Sequence, residues 1–259
     1  SDPESLVATV KTVAPDIIVN AAAYTAVDQA ESEPENAHLI NAEAPGSLAR
    51  EAEKAGAWLV HYSTDYVFCG TGNSAWKEDD PKEPVNYYGE TKLEGEDAIR
   101  TSGCQHLIFR TSWVYAAHGK NFIRTMLRLA SERKSLQVIN DQFGAPTGAE
   151  LIADVTAQAV RTSNEYPYFS GTYHLAAAGE TSWHDYACLV IKTACEHGID
   201  LKISPDDIAA VTSEEFPTTA ARPKNSRLDT FRLQNAFNLY LPPWEQGVLR
   251  VVQEMIAAR

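Results

Sequence analysis

Trp58-Leu-Val-His-Tyr-Ser-Thr-Asp65 is the stretch on which the reading of this chain turns. A short apolar run between Ala55-Gly-Ala57 and a polar Ser-Thr-Asp reads as a parallel strand buried on both faces. Thr64 then stands at the carboxyl end of that strand. In open α/β sheets ligands bind beyond this edge, where the order of strands reverses.

Working outward, the next helix begins near Pro84 and carries Tyr88 and Lys92. A spacing of four puts both on one helix face, so an ammonium is expected near the phenol, lowering its pKa from about 10. That would make a usable general acid. Roughly 0.4 such Tyr-x-x-x-Lys pairs arise by chance in a chain of this composition, and a solvated helix face is the plain alternative. The strand-end hydroxyl upstream turns the balance: a phenol, an amine and an alcohol around one crevice form a proton relay suited to carbonyl reduction.

Upstream, Pro3 to Ala14 reads as a helix, Asp16 to Asn20 as a strand, and Pro34 to Lys54 as a long helix with a break expected at Pro45-Gly46. Downstream, Gln105 to Arg110 and Leu136 to Asn140 read as strands flanking a helix from Asn121 to Arg133. Strand and helix alternate, as in a doubly wound sheet. Cys69 to Pro84 is expected to form an active-site flap. From Asp141 the alternation loosens, with helices at Gly148 to Thr162, Ser182 to His197 and Trp244 to Ala258. The expected partition is 1–140 as a Rossmann-like dinucleotide-binding domain and 141–259 as mainly a smaller substrate-binding lobe interleaved with the sheet.

Composition agrees with a soluble enzyme of cytoplasmic character. At 259 residues and 44% hydrophobic the chain can bury a sizeable core. It has no apolar run of membrane-spanning length. A net charge of −13 with 22 Lys and Arg argues against a nucleic-acid partner. The four cysteines, at 69, 104, 188 and 195, lack Cys-x-x-Cys spacing and read as buried reduced thiols rather than a zinc site. His184-Asp185, at a helix start, reads as packing or capping, and no histidine spacing suggests a metal or a triad.

The segments Val19-Asn-Ala-Ala-Ala-Tyr-Thr-Ala-Val-Asp28, His61-Tyr-Ser-Thr-Asp-Tyr-Val-Phe68, Asn86-Tyr-Tyr-Gly-Glu-Thr-Lys92 and Phe109-Arg-Thr-Ser-Trp-Val-Tyr115 resemble the extended short-chain dehydrogenase/reductase superfamily. With Val138-Ile-Asn-Asp-Gln-Phe-Gly-Ala-Pro-Thr147, Thr181-Ser-Trp-His-Asp-Tyr186 and Ala221-Arg-Pro-Lys-Asn-Ser-Arg-Leu228, they resemble its dTDP-4-dehydrorhamnose reductase family.

The resemblance implies reduction of the C4 ketone of dTDP-4-dehydro-L-rhamnose by NADPH or NADH. Tyr88 would act as proton donor, Lys92 as its tuner and ribose partner, and Thr64 as the group that orients the carbonyl. Ala23, Tyr24, Thr25 and Tyr62 are the further cofactor candidates, although the alanines alone could simply pack a turn. Asp65 and Trp113 are sugar candidates, with core packing the rival for Trp113. Asn121 and Arg222 are candidates for the diphosphate. A homodimer and a carboxylate-held Mg²⁺ are left open, with Glu150 and Glu254 the positions to watch, and no metal is assigned.

One departure stands out, since family members open with a Gly-x-x-Gly-x-x-Gly turn and the fourteen glycines here contain none. The expectation is that a first βα unit of roughly 40 residues lies outside this chain. Two alternatives stay open: a cofactor-retaining sugar-nucleotide epimerase, and a non-catalytic regulatory subunit on the same fold.

Overall fold

Four parallel strands carry the site, and the residues that build them are β-branched or aromatic runs flanked by glycine and short polar turns. The computed structural model describes residues 3–257. Its first half comprises α1 (Pro3–Val13), β1 (Ile17–Asn20), α2 (Val27–Ala30), α3 (Pro34–His38), α4 (Ala44–Ala55), β2 (Trp58–Thr64), α5 (Tyr87–Ser102) and β3 (His106–Thr111). The chain then runs through β4 (Val114–Tyr115), α6 (Phe122–Glu132), β5 (Leu136–Ile139), β6 (Phe143–Gly144), β7 (Thr147–Gly148) and α7 (Ala149–Glu165). It ends with β8 (Gly171–His174), β9 (Thr181–Ser182), α8 (Trp183–Glu196), β10 (Ile208–Val211), α9 (Phe231–Phe237) and α10 (Trp244–Ala257). Ala258, expected as the last helical residue, lies outside the described residues.

The main sheet has the order β1-β2-β3-β8, all parallel. Alternation along β2 sends Leu59 into one core with Val10, Leu48, Ala49, Ala52, Ile99 and Ile108, under α1, α4 and α5. Val60 goes the other way, with Phe109, Val155, Ala159 and Phe237 under α7 and α9. Helices on both faces of a parallel sheet make the fold Rossmann-like and doubly wound.

A further core, away from the two faces of the sheet, gathers Ile123, Met126, Val138, Tyr186, Val190, Ile191, Ile208, Val248 and Val252, which lie on α6, α8, α10, β5 and β10. The chain crosses between this core and the main sheet more than once. α6 and β5 join this further core ahead of residue 141, while β8, α7 and α9 return to the main sheet after it.

Three local readings are corrected. The long helix does not break at Pro45-Gly46; a π turn, Leu39–Glu43, links α3 to α4 instead, with the Ala44 N–H bonded to the Leu39 carbonyl. Pro45 has no N–H to give to the Asn41 carbonyl. That oxygen faces Gly95 of α5, where an added Cβ would stand 2.1 Å away. Nor does the next helix begin near Pro84. Asn86 stays extended and its side chain accepts from the Gly89 N–H at 2.8 Å, so helical geometry starts at Tyr87.

The third correction concerns Cys69 to Pro84, which is pinned rather than a free flap. The Trp76 N–H donates to the Arg227 carbonyl at 2.9 Å, the Asp229 N–H donates to the Trp76 carbonyl at 2.8 Å, and the indole stacks on Phe68. Among the cysteines, all four are free but only Cys104 is buried, and Cys195 is exposed.

Candidate functional site

Thr64 closes β2 and caps the short turn after it, accepting from the Tyr66 N–H at 3.2 Å and donating to Asp65 Oδ1 at 3.2 Å. Tyr88 comes from the first turn of α5. A glycine follows it because a Cβ at position 89 would lie 2.3 Å from the Tyr66 carbonyl, so α5 enters directly against the strand end. The phenol lies close enough to the Thr64 hydroxyl for that group to act on its pKa. Its ring also packs edge-on against Tyr66, with centroids 5.5 Å apart.

Burial drives the Tyr88 phenol above its ordinary value, the Thr64 hydroxyl opposes this, and Asp65 and Tyr66 reinforce it. Lys92 is not among the groups acting on it. The expectation of an ammonium lowering the phenol is therefore corrected for the chain as it stands. Lys92 is almost wholly buried and spends its hydrogen bonds on the Tyr62 carbonyl at 2.6 Å and on His61 Nε2 at 3.1 Å. Burial brings its pKa down to about 8, against the pull of Glu96.

Beneath them lies an ion pair that the sequence reading overlooked. Glu96, one turn after Lys92, accepts from Arg110 through Nε at 2.9 Å and Nη2 at 2.7 Å, from Arg100 Nη1 at 2.8 Å and from the Ser63 hydroxyl at 2.6 Å. These bonds outweigh burial and hold its carboxyl down to about 2. Ser63 adjoins Thr64, so one carboxylate ties the catalytic strand end to the catalytic helix. An arginine between Phe109 and Thr111 in an apolar strand was the available signal, because a buried guanidinium requires a partner.

Asp65 is buried, with Oδ2 unpartnered. Burial raises its pKa to about 7, against hydrogen bonds from Ser226 and Thr64. Arg222 pairs with Asp28, Nη2 to Oδ2 at 2.7 Å, and its charge opposes the burial that raises the Tyr66 phenol. Both Arg222 and Asp28 line a cavity of 780 Å³ together with Arg133, Gln142, Phe122, Trp183 and Phe216. Tyr66 lies beside both Arg222 and Tyr88, so the cavity adjoins the relay.

Trp113 has φ of +51°, a strained conformation for a bulky residue. Its indole stacks on Trp183 at 3.7 Å and packs against Gly144. It is Trp183 that faces the cavity. Asn121 is accounted for as the cap of α6: Oδ1 accepts from the Arg124 N–H, and Nδ2 donates to the carbonyls of Ala116 and His118. It does not join Arg222.

Tyr62 turns its ring away from Lys92, onto Phe109 and toward Thr156 at 3.0 Å, and only its carbonyl meets the amine. Ala23, Tyr24 and Thr25 follow β1, with the backbone of Tyr24 held on both sides by the Asn41 amide. Ala21, Ala22 and Thr25 are exposed, which leaves a small-residue ledge that can accept a flat, extended ligand. Glu150 and Glu254 both bond Arg250, at 2.9 and 3.7 Å. Among the described residues, no group of three or more His, Cys, Asp or Glu is placed to hold a metal, and no helix is long and apolar enough to cross a membrane.

Known proteins are similar to this chain in sequence and fold. Residues 1–257 match the RmlD substrate binding domain family. The dTDP-4-dehydrorhamnose reductase of Salmonella typhimurium is 55% identical over 255 residues, covering 98% of this chain and 85% of the relative. The crystal structure of a Bacillus anthracis dTDP-4-dehydrorhamnose reductase in complex with NADP is 35% identical, with a TM-score of 0.85 over 98% of this chain and 85% of that one. The Clostridium acetobutylicum structure is 31% identical, with a TM-score of 0.90 over 98% and 86%. The chain belongs to the dTDP-4-dehydrorhamnose reductase family.

Proposed function

We propose that this chain reduces the C4 ketone of dTDP-4-dehydro-L-rhamnose with NADPH or NADH, giving dTDP-L-rhamnose. The observation that carries the reading is the seating of Tyr88, on the first turn of α5, against the Thr64 end of a central parallel strand, one turn before a buried lysine. When bound, the nicotinamide cofactor supplies a hydride. The ledge from Ala23 to Thr25 and the amine of Lys92 would hold its nicotinamide end.

Thr64 donates to the ketone oxygen and fixes it beside the phenol. Tyr88 stays protonated across neutral pH, so it is a proton donor as the oxygen gains charge. The phenolate left behind needs a cation, and Lys92, one turn along the same helix, is the group in reach. Asp65 and the edge of Trp113 meet the sugar, and Arg222 with Arg133 serves the diphosphate, since a guanidinium fork suits phosphate oxygens. The aromatic wall of Phe122 and Trp183 takes the thymine.

On this reading 1–140 mainly serves the cofactor and 141–259 mainly the nucleotide sugar. The cytoplasm, where nucleotide sugars and reduced nicotinamides are at hand, is the matching compartment. The test is loss of reduced-nicotinamide absorbance when full-length protein meets dTDP-4-dehydro-L-rhamnose. Stoichiometric release of oxidised cofactor supports reduction, whereas interconversion of sugar epimers with the cofactor retained would replace it with an epimerase.

A further inference from the structure

We propose that Phe216 covers the nucleotide base in the 780 Å³ cavity and sets how tightly that half of the substrate is held. The inference rests on the reading of this cavity as the place of the thymine and the diphosphate. Its apolar lining comes from α6, β5, α8 and β10, through Phe122, Met126, Val138, Trp183 and Ala209. Asp28 enters from α2, and Phe216, Thr218 and Arg222 enter from the segment that follows β10.

That segment is a strap held at both ends. The Ser213 N–H and hydroxyl donate to Asp141 Oδ1 at 2.8 and 2.6 Å, and the hydroxyl accepts from Gln142 Nε2 at 3.0 Å. At the far end the Ala220 N–H donates to Asp28 Oδ1 at 3.0 Å. Gln142 and Asp28 both line the cavity, so the strap runs from one part of its rim to another.

Phe216 is presented on this strap by rigid neighbours. Before it, Glu215 closes a turn, its carboxylate accepting from the Thr212 N–H at 2.8 Å and from the Thr212 hydroxyl at 3.1 Å. After it, Pro217 keeps the Phe216 backbone out of the helical region. A phenyl ring beside an apolar floor gains by collapsing onto it. Phe216 instead stays 50% exposed and the cavity stays open, because the pins and the turn hold the ring off the floor.

The ring therefore keeps apolar area that only a guest can cover, and its placement leaves little ordering for binding to supply. A pyrimidine base is the guest that fits. Its flat faces suit the rings of Phe216 and Trp183, while the charged tail of the same molecule reaches the guanidiniums of Arg222 and Arg133. A sugar ring, with hydroxyls around its edge and no π face, gains less from a phenyl cover.

Calorimetry on full-length protein saturated with NADP⁺ reads binding without turnover, and two probes, dTDP and inorganic pyrophosphate, separate base from diphosphate. Phe216→Ala should raise the Kd for dTDP about tenfold or more and leave that for pyrophosphate nearly unchanged. Arg222→Met should weaken both probes, and Phe216→Tyr, which keeps the ring, should bind both as wild type does. In wild-type protein, NOEs between the thymine protons of bound dTDP and the Phe216 ring check the contact without any variant.

A folded Phe216→Ala that binds dTDP as tightly as wild type overturns the proposal, as does the absence of those NOEs. Equal weakening of both probes also overturns it, since that is what a purely structural strap would give. Wild-type protein that does not bind dTDP removes the cavity's assignment and the proposal with it. A protein that shows the expected binding pattern yet oxidises no cofactor with the keto sugar keeps the role of Phe216 and loses the reductase reading, so the two failures are told apart.

Discussion

Two buried carboxylates at the site respond to pH with opposite sign. Glu96 is held at about 2, below its usual 4.5, so its contribution to stability is present above pH 4.5 and lost as pH falls from there toward 2. Glu96→Leu removes the carboxylate and strands two guanidiniums. It should cost about 3–5 kcal/mol in denaturant unfolding at pH 7. Asp65 is displaced the other way, to about 7 from 3.8. The folded state prefers it protonated, so its destabilising effect is absent below pH 3.8, grows as pH rises to 7 and persists above. Asp65→Asn should match wild-type stability near pH 4 and exceed it at pH 8, by on the order of 3 kcal/mol. Equal stabilities at the two pH values would refute the burial account. Tyr88→Phe keeps the ring and loses the proton, so kcat should fall roughly 10²–10⁴-fold while the KM for the nucleotide sugar stays near wild type. The phenol and hydroxyl were legible in the sequence because strand end and helix face follow from periodicity. The environment of Lys92 was not, since its partners His61 and the Tyr62 carbonyl sit on another element and no spacing along α5 reveals them.

At the scale of elements, α5 is seated by two glycines. Gly89 rests on the Tyr66 carbonyl and Gly95 on that of Asn41, with room for a Cβ at neither. Each substitution to alanine should destabilise by about 1–3 kcal/mol through overpacking, but with different consequences for activity. Gly89→Ala lifts the first turn, which carries Tyr88, away from Thr64, and should reduce kcat per folded molecule at least tenfold. Gly95→Ala presses on the π turn and should mainly lower the melting temperature. Thermal melts paired with kcat separate the two, and a Gly95→Ala enzyme impaired as deeply as Gly89→Ala would show that α5 moves as one rod. The existence of α5 was plain in its apolar and acidic pattern. Its first residue was not, because Pro84 is a legitimate helix opener and only the extended backbone of Asn86 places the cap two residues later. The π turn was likewise hidden: Pro45 announces a lost hydrogen bond, but whether the helix breaks or widens depends on whether a neighbour such as Gly95 can approach the freed carbonyl.

Across the whole molecule, the alternating α/β order was readable as far as about residue 140, but the closure of the site by residues further along was not. Residues 220–229 have no periodicity to betray them, yet they hold Asp28, Asn86 and the 69–84 loop on the sugar side of the rim. The Ala220 N–H donates to Asp28 at 3.0 Å, the Ala221 carbonyl accepts from Asn86 at 2.7 Å, and Pro223 lies on Gly70, where a Cβ would come within 2.2 Å. Asn225, 1% exposed, is the centre of this clasp. Its side chain donates to the carbonyls of Ser74 at 2.8 Å and Thr71 at 3.3 Å, its N–H donates to Gly70 O at 2.9 Å, and its carbonyl receives the Trp76 indole at 3.1 Å. Asn225→Ala leaves two carbonyls without their donor and should cost about 2–4 kcal/mol. The clasp positions Arg222 and the 69–84 loop but lies away from the Ala23–Thr25 ledge. The KM for the nucleotide sugar should therefore rise at least fivefold with that for NADPH nearly constant. Equal increases in both constants would mean that the segment supports the sheet as a whole and has no particular hold on the sugar side of the crevice.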